Sequence, residues 1–161
     1  NRYFRGYNII WAVFESTRIP TQQITTLKNN NLWIPSEWGK KIAIQNGISA
    51  DKISVVPEGV EANLFNPYLK PQNPKFRFLI IAKYEIRKSV DEVLTAFAEE
   101  FGNNSQVELV IKSDFFKNPE AKLSELKSKI NSLSVDNINL IWGYQKPDEL
   151  INLYRSADVF V

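Results

Sequence analysis

The chain contains no cysteine and no histidine. Without cysteine there are no disulfides, no thiol nucleophile and no thiolate metal site, and a reducing compartment is favoured. Without histidine, a Ser-His-Asp triad, imidazole acid–base chemistry and the usual zinc centres are excluded. Any general base must be a carboxylate, a lysine or a tyrosine. Long apolar runs are lacking too. The longest, Ile9 to Phe14, falls far short of the ~20 residues that cross a bilayer. No signal-peptide pattern is present. Charge of one sign is scarce: 20 Lys and Arg stand against 18 Asp and Glu, a net +2. The lysines are dispersed, so no nucleic-acid-binding stripe is indicated.

What is present is globular. Apolar residues at 43% and charged residues at 24% argue against disorder, and four Trp and ten Phe supply bulky core material. The length of 161 residues suits one ordinary domain or two small halves. The chain starts at Asn1 and stops at Val161 inside an apolar run, so it reads as an internal piece of a longer protein.

Tyr7 to Phe14 reads as a buried strand that ends at Glu15-Ser16-Thr17-Arg18. A helix follows over about Thr21 to Lys28, then a short strand at Leu32 to Ile34. Ser36 is the expected N-cap of a second helix, and Gly47 its left-handed stop. Ser54 to Val56 is a third strand. The connection from Pro57 to Pro74 carries four prolines besides Gly59 and marks the boundary between two halves. Beyond it, strands are expected at Phe78–Ala82, Val107–Lys112, Ile138–Trp142 and from Asp158. Helices alternate with them, the last burying Leu150, Leu153 and Tyr154. Such alternation implies a parallel sheet with right-handed crossovers, whose ligands sit beyond the carboxyl ends of the strands.

The stretch Phe76 to Gly102 organises the second half. An apolar strand leads into the cationic loop Lys83-Tyr84-Glu85-Ile86-Arg87-Lys88. Ser89 and Glu92 have the spacing of a capping box at the start of a helix. Val90, Val93, Leu94, Phe97, Ala98 and Phe101 share one stripe, and Gly102 marks the stop. Three cations at a helix N-terminus make a seat for a diphosphate. By spacing alone, a loop with three basic residues is most often a solvated loop. For Gly59, an ordinary turn glycine with positive φ stands beside any functional reading.

Taken in order, WAVFESTRIP, NLWIPSEWGKK, ISVVPEGVEANLFNP, FRFLIIAKYEIRKS, AFAEEF and LIWGYQKPDELINLYRSADVFV resemble the family 4 (group 1) glycosyltransferases. The similarity runs over nearly the whole chain. Its most specific pieces are Pro57-Glu58-Gly59-Val60-Glu61 with Phe65 and Pro67, and the loop ending in Arg87-Lys88. It implies an α/β, Rossmann-like GT-B fold: the end of the N-terminal domain plus the first half of the C-terminal donor-binding domain. Residues 1–57 would close the acceptor-side domain, 58–75 link, and 76–161 begin the nucleotide-sugar domain.

The resemblance further implies a retaining sugar transferase using a nucleotide-sugar donor and a sugar, glycan or lipid-linked acceptor. No metal or other cofactor is expected. Lys83 and Lys88 match the family's two donor-diphosphate-binding cations, with Arg87 beside them. Gly59 matches a glycine that lets backbone approach the donor. Glu15 and Arg18 would lie near the acceptor, Glu15 being the one carboxylate expected near the reaction centre. The departures are Glu58 where Asn or His is common, Glu61 where Asp is usual, and Ser89 where Gly is usual. Glu58 would bring negative charge close to the diphosphate. The family's E-x7-E element would follow Val161, so the piece alone is expected to be inactive. A cytoplasmic location is expected, with peripheral membrane contact and self-association of the piece left open. The competing reading is a non-catalytic α/β module that binds phosphate or a nucleotide.

Overall fold

The structure, a computed structural model, describes residues 8–66, 68, 71–102 and 104–161. Tyr7, expected to open the first strand, and Pro67 of the family-like motif lie outside them. The chain divides into two compact units, Asn1–Val60 and Glu61–Val161.

In the first unit the elements run β1 (Ile9–Trp11), α1 (Thr21–Lys28), β2 (Asn31–Ile34), α2 (Glu37–Gln45), a 3-10 turn (Ala50–Lys52) and β3 (Ile53–Val55). The strands lie in the order β1-β2-β3, all parallel, with Trp11 opposite Trp33 and Trp33 opposite Ser54. Ser36 Oγ accepts the Gly39 N–H at 3.1 Å, which starts α2. Gly47 follows α2 at φ +84°, a conformation that costs an L-residue about 1–2 kcal/mol. Leu32, Ile34, Ile42, Ala43 and Ile48 form the core. The first strand is not buried on both faces as its apolar run suggests. Side chains alternate along a strand, and only the face carrying Ile10 and Leu32 meets the core. Ile9, Trp11 and Trp33, on the other face, remain 40%, 44% and 42% exposed.

The second unit runs β4 (Phe76–Ile81), α3 (Val90–Phe101), β5 (Val107–Ser113), α4 (Pro119–Ser132), β6 (Ile138–Trp142), α5 (Pro147–Ser156) and β7 (Val159–Phe160). The order is β6-β5-β4-β7, again all parallel. β5 is buried at every position. Ile80, Leu109 and Ile111 pack with Leu94, Phe97 and Leu126 of α3 and α4. Leu79 and Val110 meet Leu153 of α5 on the opposite face. Fully burying each such side chain contributes about 1.5–3 kcal/mol, which is what the two-sided apolar run in β4 anticipates.

Three local expectations are corrected. Ser89 is not a side-chain cap: its φ is +50°, its hydroxyl makes no cap bond, and α3 begins at Val90. Gly102 has φ −56°, so it is no left-handed stop. Its lack of a side chain matters because a Cβ would lie 2.7 Å from Val135 Cγ1. In α5 the buried residues are Ile151, Leu153 and Ser156, since contact with Leu79 and Val110 sets the helix phase. Leu150 is only half-buried. Tyr154 is 38% exposed and packs on Phe65 and Phe160, with centroids 5.8 and 5.6 Å away.

A polar network crosses the α5 face of this sheet. Arg77 pairs with Glu108 at 2.7 Å and donates to Ser156 Oγ at 2.7 Å. Asn73 and Asn139 each donate to the Glu108 carboxylate at 3.0 Å. Burial alone would raise the Glu108 carboxyl. The hydrogen bonds from Asn73 and Arg77 and the charge of Arg77 outweigh it and hold the group below its usual range.

Candidate functional site

In the second unit the chain steps outward from β4 through β5 to β6, then returns to place β7 on the other side of β4. The strand order therefore reverses at β4. In open parallel sheets the crevice at such a reversal, beyond the carboxyl ends, is where ligands bind. The loop that leaves β4 there carries Lys83, Arg87 and Lys88.

Its path is set by short-range bonds. Glu85 N–H donates to Lys83 O at 2.8 Å, after which Ile86–Lys88 forms one 3-10 turn. Ser89 then turns left-handed, and Val93 N–H to Ser89 O at 3.1 Å is the first bond into α3. Among the described residues no side chain caps α3. The free N–H groups and partial positive charge of a helix start are thus presented beside the cations. Lys83, Arg87 and Lys88 are all exposed. The Lys83 ammonium lies 4.6 Å from the centroid of the Phe116 ring, in the loop after β5. Arg87 reaches Glu85 only at 3.9 Å with its side chain 75% exposed, a pairing worth at most about 1 kcal/mol.

The loop's stem is pinned to the end of β5. Ala82 N–H donates to Lys112 O at 3.1 Å and Tyr84 N–H to Asp114 O at 3.3 Å. The buried Ser113 hydroxyl donates to Ala82 O at 2.8 Å. Lys112, itself buried, holds Asp114 at 2.9 Å. Tyr84 is 6% exposed, and its hydroxyl donates to Asp91 Oδ1 in the first turn of α3 at 2.9 Å. Burial first, and the hydrogen bond to Asp91 second, push the Tyr84 phenol well above its usual value. Reasoning from sequence missed Tyr84, Ser113 and Phe116. No periodicity links a loop residue to partners that only the 3-10 turn and the strand pairing bring near.

The other candidate residues lie in the first unit. Glu15 and Arg18 are exposed in the connection between β1 and α1, beyond the strand end, and no ion pair joins them. Asn46, at the end of α2, holds that connection: its Nδ2 donates to Thr17 O at 3.0 Å and its Oδ1 accepts from Ile19 N–H at 3.1 Å. Glu58 and Gly59 follow β3 and are exposed. Because the strands are parallel, both segments belong to the carboxyl edge of one sheet. The positive φ expected of a turn glycine is not found at Gly59. A Cβ there would meet nothing within 4 Å, so no contact within the chain demands glycine. Among the described residues no group of three His, Cys, Asp or Glu is placed to hold a metal ion. Among the described residues no helix is long and apolar enough to cross a membrane.

The two Rossmann-like α/β units have the GT-B type of fold, which this chain shares with solved glycosyltransferases. A glycosyltransferase from Rickettsia africae matches with a TM-score of 0.68 at 19% identity, over 93% of this chain and 44% of that one. Anabaena HepE, solved with UDP and glucose, matches with a TM-score of 0.64 at 14% identity, over 93% of this chain and 45% of that one. In sequence, the alpha-monoglucosyldiacylglycerol synthase of Streptococcus pneumoniae is 25% identical over 140 residues, covering 79% of this chain and 30% of the relative. No protein-family model matches. The chain spans less than half the length of these relatives.

Proposed function

We propose that this chain is part of a retaining glycosyltransferase that moves a sugar from a nucleoside-diphosphate donor to a lipid-linked or glycan acceptor. Residues 1–57 are then the end of the acceptor-side domain, 58–75 the linker, and 76–161 the start of the donor domain. The observation that carries this reading is the β4–α3 loop. Two exposed lysines and an uncapped helix start share the position where an open parallel sheet binds its ligand.

Lys83 and Lys88 hold the donor diphosphate, with Arg87 at the margin. As the sugar–phosphate bond breaks, negative charge grows on the departing diphosphate. Fixed cations aimed at it stabilise the transition state more than the ground state. The two ammonium groups supply the neutralisation that a bound metal supplies elsewhere, and no Asp-x-Asp pattern occurs in the sequence. Gly59 gives the donor room to approach backbone, and Glu15 and Arg18 lie on the acceptor side. The donor class is supported by HepE, whose structure holds UDP and glucose. The acceptor class is supported by the pneumococcal relative, whose name describes an α-glucosyl diacylglycerol. For a UDP-glucose donor such as HepE binds, whose sugar is α-linked to the diphosphate, an α-product would correspond to retention.

The test is calorimetric titration of UDP and UDP-glucose against the chain and its Lys88→Ala and Arg87→Ala variants. One charge-assisted contact is worth roughly 1.5–3 kcal/mol, so Lys88→Ala is expected to lose about ten- to a hundred-fold in affinity. Arg87→Ala should lose least. Unchanged affinity in Lys88→Ala, with circular dichroism unaltered, overturns the reading and leaves the three cations as solvated loop charges.

A further inference from the structure

We propose that Tyr84 is a positioning residue of the cationic loop, its buried phenol tying the loop to the first turn of α3 through Asp91. The inference rests on the diphosphate reading above. Beyond the bonds that pin its stem to β5 and those of its own 3-10 turn, little holds the tip of the loop. Ile86 at its tip is 97% exposed, and the Glu85–Arg87 pair is long and solvated. Behind the loop, a cavity of about 90 Å³ separates Glu85 and Ile86 from Lys122 and Glu125 of α4. Apolar packing therefore reaches the stem at Tyr84 and resumes at Val90, with nothing between them but the 3-10 turn.

Tyr84 spans that gap. Its ring belongs to the core beneath α3, and the Lys122 ammonium sits 5.3 Å from the ring centroid. Its hydroxyl reaches Asp91 at 2.9 Å, seven residues on, and so closes the whole loop into a ring of fixed span. Lys83 precedes this anchor directly, and Lys88 lies between its two ends. A preset loop binds with less ordering cost than a loose one.

The test uses the 161-residue chain with inorganic pyrophosphate and UDP as probes, in calorimetry and in amide hydrogen exchange. Tyr84→Phe keeps the ring and removes only the hydroxyl. It is expected to weaken binding about three- to ten-fold, the range of one intramolecular hydrogen bond. The Lys88 and Ser89 amides should exchange faster in that variant, while those of β5 do not. In an Asp91→Leu background the same substitution should have no further effect on affinity. Full affinity in Tyr84→Phe alongside a clear loss in Lys88→Ala overturns the role of Tyr84 and leaves the diphosphate reading standing. No binding by the unaltered chain, or no loss in Lys88→Ala, overturns both. Exchange that quickens equally in the loop and in β5 assigns Tyr84 to general stability and overturns the positioning role.

Discussion

Ser89 is a residue where conformation and chemistry conflict. Its backbone is left-handed at φ +50°, which costs an L-residue about 1–2 kcal/mol, whereas glycine visits that region freely at an entropic cost of about 0.5–1 kcal/mol. Ser89→Gly is therefore expected to stabilise the second unit by about 0.5 kcal/mol, read as a rise in the urea unfolding midpoint. A fall would show that the hydroxyl contributes something the structure does not display. The family-like pattern places glycine at this position, and the backbone supplies the reason. The capping box expected from Ser89 and Glu92 fails for the same reason: a cap residue needs an extended backbone so that its oxygen can reach the N–H of the first turn. Spacing shows which residues are three apart and is silent about the φ of the first.

Among elements, the helices and strands follow the sequence closely wherever one face must be buried. α3 packs Val90, Leu94 and Phe97 inward from the stripe read in the sequence, and β5 has apolar neighbours on both sides because it is central in its sheet. Connections were harder to read. Asn46 reads in sequence as a helix end, yet it clamps the segment that bears Glu15 and Arg18. It donates to Thr17 O and Ile42 O and accepts from Ile19 N–H, at 3.0, 2.9 and 3.1 Å. Asn46→Ala leaves the Ile19 N–H without its partner, and Ile19 is 4% exposed. An unsatisfied buried donor costs about 1–3 kcal/mol. The first unit should lose about that much in urea unfolding, and the Ile19 amide should lose its protection from exchange. Retained protection would mean that the connection is held by α2 packing and not by the clamp.

At the scale of the molecule, the second unit is held by its apolar layers and by the Arg77–Glu108 network, which joins β4, β5, β6 and α5. The folded state holds the Glu108 carboxyl below its usual value of 4.5. Between the lowered value and the usual one the unfolded chain therefore binds more protons. The resulting stability is present above about pH 4.5 and is lost as pH falls through the lowered value. Glu108→Gln should cost about 2 kcal/mol at pH 7. That is less than the 3–5 kcal/mol of a fully buried pair, because the Arg77 side chain keeps 23% exposure. The difference from the unaltered protein should shrink as pH falls towards 3 in urea unfolding. A difference that stays constant with pH would assign the loss to packing alone.

Periodicity, breakers and one apolar run were enough to dictate the α/β class, the alternation of elements and the loop where three cations meet. These properties are local: a helix stripe or a buried strand must be written along the chain in order to be buried at all. Strand order is not local. That β4 has β5 on one side and β7 on the other, and so places the cationic loop at a reversal, depends on pairings between residues about eighty positions apart, such as Phe78 with Val159. The left-handed turn at Ser89, the exposed Trp face of the first sheet and the Tyr84–Asp91 tie were likewise decided by tertiary structure. Each depends on what packs against a residue, and not on what stands beside it in sequence.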